Sequence, residues 1–71
     1  MKKLILSNHA LKRMFERGIN EQEIAQTMEN PNYKIRRGDE IEAYKKFGNE
    51  TLKVVYAETE TFIKVITVVY I

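Results

Sequence analysis

The sequence predicts a small α+β domain in which two N-terminal helices precede a four-stranded antiparallel sheet, in the order α-α-β-β-β-β. Three observations predict it. Before Pro31 the apolar residues recur at helical spacing behind capping residues; after Pro31 they alternate; and Gly38-Asp39 and Gly48-Asn49 punctuate the second half as turns. With 71 residues there is one domain, spanning 1–71. A chain of this size buries only about 60% of its unfolded surface, so its core is thin.

The first helix is expected over Asn8 to Arg17, with Ser7 or Asn8 accepting from the free amides of the first turn. Leu11, Met14, Phe15 and Gly18 fall at i, i+3, i+4 and i+7, the spacing of one buried face, and Gly18 suits the left-handed residue that ends a helix. The start of the second helix is the clearest local signal. Asn20 and Glu23 form a variant capping box, flanked by the hydrophobic staple Ile19 and Ile24. Ile24, Ala25 and Met28 supply its buried face, and Asn30-Pro31 ends it, because the residue before proline disfavours the helical region.

Four strands follow. Tyr33 to Arg37 is short; Ile41 to Phe47 places Ile41, Ala43 and Phe47 on one face and Tyr44 on the other. Leu52 to Ala57 and Thr61 to Ile71 are rich in β-branched and aromatic residues. The last stretch is apolar on both faces in its middle, which predicts a central strand covered on both sides.

Hydrophobic residues at 44% and charged residues at 31% are ordinary for a globular domain and argue against disorder. The chain has no cysteine, which excludes a disulfide scaffold and thiolate chemistry. Lys2 and Lys3 before Leu4-Ile5-Leu6 imitate the start of a signal peptide, but the apolar run stops at Ser7. No run approaches the ~20 apolar residues of a membrane span. The expectation is a soluble, cytoplasmic protein with no membrane partner.

Charge is uneven along the chain. Residues 1–18 hold Lys2, Lys3, Lys12, Arg13 and Arg17 against Glu16 alone, a balance of +4, although the whole chain carries only +2. His9, Arg13 and Arg17 stand at i, i+4 and i+8, one stripe along the first helix, with Lys12 beside it. A histidine flanked by guanidinium groups suits work on a phosphodiester. The imidazole moves a proton to or from a ribose or leaving oxygen, while the arginines hold phosphate and stabilise developing charge. The plainer reading is solvated surface, since by this wheel the stripe lies nearly opposite Leu11 and Phe15.

Other residues offer less. Tyr44, Tyr56 and Tyr70, with Lys45, Lys46 and Lys53 nearby, make either a base-stacking platform or the core aromatics of a small sheet, the latter being favoured for at least two of them. Thr67 is a polar residue inside the most apolar strand, either a strand former or a hydroxyl presented to a cleft. Asp39, Glu40 and Glu42 cluster at a turn and read as solvated; with one histidine and no cysteine, neither a metal site nor a cofactor is expected.

The run Ser7-x-His9-Ala10-x-x-Arg13-Met14-x-x-Arg17-Gly18-Ile19 resembles a family of small prokaryotic domains, as do Glu23-Ile24, Asn30-Pro31, Leu52-Lys53-Val54-Val55 and Ile63-Lys64-Val65-Ile66-Thr67-Val68. Such domains look like distant relatives of RelE-type and BrnT-type toxins of bacterial toxin–antitoxin pairs. The resemblance implies a RelE-like fold and a metal-independent endoribonuclease. His9 would be its acid–base group, Arg13 and Arg17 its phosphate ligands and Thr67 a supporting hydroxyl. RNA and a protein antitoxin would be its partners. The alternatives are a non-catalytic nucleic-acid-binding module, and an interaction module that dimerises through a strand edge near Val68-Val69-Tyr70-Ile71.

Overall fold

The computed structural model describes residues 2–71. Its first element is one that the sequence reading leaves out: a strand, β1 (Lys3–Leu6), which pairs in parallel with the last strand, β5 (Phe62–Tyr70), with Leu4 opposite Ile63 and Leu6 opposite Val65. Between them lie α1 (Asn8–Arg17), α2 (Glu21–Glu29), β2 (Tyr33–Arg37), β3 (Glu40–Phe47) and β4 (Glu50–Glu58). The five strands form one sheet in the order β1-β5-β4-β3-β2. The domain is α+β, but the expected four-stranded antiparallel sheet is a five-stranded mixed one. The physical reason is length: four residues show too little alternation to declare a strand, and the partner that makes them one is far along the chain.

β2 to β5 form an antiparallel meander set by its turns. Gly38 and Gly48 adopt φ of 62° and 63° in the two-residue connections, which fixes Arg37 opposite Glu40 and Phe47 opposite Glu50. The β4–β5 register breaks once. Val55 faces Thr67, yet its neighbour Tyr56 faces Val65, so Ile66 is an extra residue in β5.

Both helices pack on one face of the sheet. Leu52, Val54 and Tyr56 of β4, Ala43 of β3, and Val65 and Val68 of β5 form the core with Ala10, Ile19 and Ile24. The capping box of α2 forms as expected, Asn20 accepting from the Glu23 amide at 2.8 Å and Glu23 from the Asn20 amide at 3.0 Å. Both staple residues are buried. Thr27, also buried, donates to the Glu23 carbonyl one turn back at 2.7 Å.

α2 runs across the strands rather than along them. Near its start the Tyr70 hydroxyl donates to Glu23 at 3.0 Å, and just past its end Lys45 donates to the Asn30 carbonyl at 2.9 Å. Tyr70, Leu52 and Lys45 stand level on β5, β4 and β3. The helix therefore covers one end of the core face and leaves Leu4, Tyr56 and Ile63 nearer the bare end.

Two expectations about faces are corrected. The face of α1 against the sheet is built on Ala10 and Met14, whereas Leu11 is 47% and Phe15 91% exposed. The last strand is an interior strand, but the helices cover one of its faces only, and β4 is the middle strand of the sheet. No helix among the described residues is long and apolar enough to cross a membrane.

Candidate functional site

α1 is held in place at its first residue. Ser7 is the N-cap: its hydroxyl accepts from the Ala10 amide at 3.0 Å and donates to the Ile66 carbonyl at 2.6 Å, while its own amide donates to the Val65 carbonyl at 3.0 Å. At the other end Gly18, at φ 65°, sends its amide back to Met14. The helix is thereby fixed over the β5 bulge, with Ala10 and Met14 inward.

At about 100° per residue, His9, Arg13 and Arg17 occupy one flank of this packed face, and Leu11 and Phe15 the other. The stripe is thus nearer the body of the protein than the wheel centred on Leu11 and Phe15 predicts. His9, Lys12 and Arg17 are exposed and Arg13 is half-buried. Among the described residues the ion pairs join Lys2 to Glu58, and Arg37 and Lys53 to Glu42; none involves a cation of α1. Lys12, Arg13 and Arg17 therefore form no ion pair among the described residues, and Glu16 is the one acidic residue on their helix. His9 has no hydrogen-bond partner among the described residues that would orient its ring.

Thr67 does not share this surface. It stands opposite Val55, on the sheet face away from the helices, because the extra residue Ile66 turns it out of phase with Val65. Nor do the three tyrosines form one platform. Tyr56 and Tyr70 project from the core face, and Tyr44 from the opposite one. Tyr44 and Tyr56 are buried.

The open face carries a cluster that the sequence reading missed. Tyr33 of β2 stacks on Tyr44 with ring centroids 4.5 Å apart and planes 12° from parallel. The Tyr44 hydroxyl donates to Glu42 at 2.9 Å, Arg37 pairs with the other oxygen of Glu42 at 3.0 Å, and Lys53 lies 5.9 Å from the Tyr44 ring centre. Burial, and then the Glu42 carboxylate, push the Tyr44 hydroxyl above its ordinary pKa. The signal was in the turn: a two-residue connection at Gly38-Asp39 pairs Arg37 with Glu40, and counting back pairs Tyr33 with Tyr44. Here, though, cations and carboxylate satisfy one another. Glu42 is absorbed in this network and separates from Asp39 and Glu40 in the exposed turn.

The family described as a domain of unknown function (DUF4258) matches residues 6–70, from the end of β1 to the end of β5. The chain belongs to this family. No curated protein and no solved structure matches it. The match takes in the His9-to-Arg17 stripe and both hairpins, so the candidate surfaces all lie within the DUF4258 domain.

Proposed function

We propose that this DUF4258 domain binds RNA through α1 and cleaves it without a metal, as a toxin-like endoribonuclease. The observation that carries the reading is the set of three cations, Lys12, Arg13 and Arg17, on one helix without an acidic partner among the described residues. The resemblance to RelE-type and BrnT-type toxins supports the same reading and brings with it a protein antitoxin as partner. Arg13 and Arg17 hold the phosphate, and Arg13 also stabilises the charge that develops on it. A ribose 2′-oxygen attacks phosphorus, the bond to the 5′-oxygen breaks, and that oxygen takes up a proton. His9, the chain's sole imidazole, serves one of the two proton transfers and solvent the other. Thr67 faces the far side of the sheet and has no part in this step.

A non-catalytic RNA-binding module is the second reading, favoured by the absence of any group that orients His9 among the described residues. A third partnership, pairing with a second chain, is favoured by the edge of β5. Beyond Val65 no strand among the described residues flanks it on the β1 side, so Val68 and Tyr70 leave backbone groups for another strand.

Binding to single-stranded RNA at several salt concentrations tests the shared claim. Three phosphate contacts give log K against log salt a slope of about −2. Lys12→Gln, Arg13→Gln and Arg17→Gln should each flatten it by about 0.7. A slope unchanged in all three variants removes α1 as the phosphate surface.

A further inference from the structure

The bare end of the core face forms a second site, which no residue of α1 lines. Leu4, Tyr56 and Ile63 floor a pocket of 560 Å³ that Ala25 and Met28 of α2 wall on one side. Lys2, Lys34, Glu29 and Glu58 stand around its mouth. That volume lies within the range of small-molecule sites, about 300–1,000 Å³.

Tyr56, which lines this pocket, stands apart from two other tyrosines of the sheet. The Tyr44 and Tyr70 hydroxyls each donate to a carboxylate, Glu42 at 2.9 Å and Glu23 at 3.0 Å. Tyr56 is only 2% exposed, yet its hydroxyl has no partner among the described residues. No side-chain nitrogen or oxygen described is both sealed from solvent and unpartnered, so this hydroxyl keeps access to the pocket that its residue lines. Lys34 places its ammonium 5.9 Å from the centre of the Tyr56 ring and forms no ion pair among the described residues, whereas Lys2 is held by Glu58. A hydroxyl without a protein partner, open to the pocket, and an ammonium outside any ion pair stand over one apolar floor as two free donors.

We propose that this pocket binds a small amphipathic monocarboxylate. Its apolar body packs on Leu4, Met28 and Ile63, and its carboxylate accepts from the Tyr56 hydroxyl and pairs with Lys34. Glu29 and Glu58 at the mouth disfavour a second anionic group, and Lys34 disfavours a cation.

Octanoate, titrated into the full chain and followed by amide chemical shifts and calorimetry, tests this, with octanol as the uncharged control. The expected result is saturable one-to-one binding that shifts Ala25, Met28 and Ile63, and that octanol reproduces at least about tenfold more weakly. Tyr56→Phe and Lys34→Met should each weaken octanoate about tenfold. Tyr56→Phe should leave the melting temperature of the free protein unchanged, since its hydroxyl has no internal bond to lose. The absence of saturable binding, equal affinity for octanol, indifference to both substitutions, or a lowered melting temperature in Tyr56→Phe would each overturn the proposal. RNA binding through α1 is unaffected by any of these outcomes.

Discussion

Ser7 donates its hydroxyl to the carbonyl of Ile66 at 2.6 Å, joining the first turn of α1 to the one extra residue of β5 across 59 positions of chain. The same oxygen caps the helix by accepting from Ala10. Ser7→Ala removes both bonds and leaves a carbonyl at the bulge short of a donor. It should cost about 1–3 kcal/mol in urea denaturation. A loss below about 0.5 kcal/mol, the range of a neutral surface change, would show that the cap and the tie are dispensable.

Phe15 stands 91% exposed, so it should contribute nothing to the core. Phe15→Ser is expected to change stability by no more than about 0.5 kcal/mol, against about 2–5 kcal/mol for Ile24→Ala, which empties a fully buried position. Denaturation curves of the two variants side by side decide it; equal losses would return Phe15 to the core.

Tyr44 and Tyr70 govern the alkaline limit. Burial, then a neighbouring carboxylate (Glu42 and Glu23 respectively), raises both folded-state values above the ordinary 10.0. A raised value means that the folded state holds its proton where the unfolded state has released it. The stabilisation is therefore whole below about pH 10 and is lost as pH rises through the folded-state values. Thermal melts from about pH 8 to about pH 11 should fall more steeply for wild type than for Tyr44→Phe or Tyr70→Phe. Parallel curves would remove the tyrosines as the cause.

What the sequence reveals and conceals follows the range of the interactions. Asn20, Glu23, Ile19 and Ile24 cap and staple within one turn, and all four behave as expected. The His9, Arg13 and Arg17 stripe was likewise legible, because spacing on a helix is local. β1 was not, since Leu4 and Leu6 acquire their strand character from Ile63 and Val65. Which apolar strip of α1 meets the sheet was equally hidden: Ala10-Met14 and Leu11-Phe15 are both possible on a wheel, and the tie from Ser7 to β5 selects the first. The face of Thr67 depends on the bulge at Ile66, which no alternation pattern reveals.

On the reading proposed above, α1 is a metal-independent catalytic surface for RNA. Its most direct test is to incubate the purified protein with total RNA in EDTA, wild type beside His9→Ala. The expected result is cleavage by wild type that falls at least about a hundredfold in His9→Ala, the usual contribution of one acid–base group. Equal cleavage by both would contradict it by removing His9 from the reaction. No cleavage by either, with RNA binding retained, would leave the domain a binding module and the catalytic claim refuted.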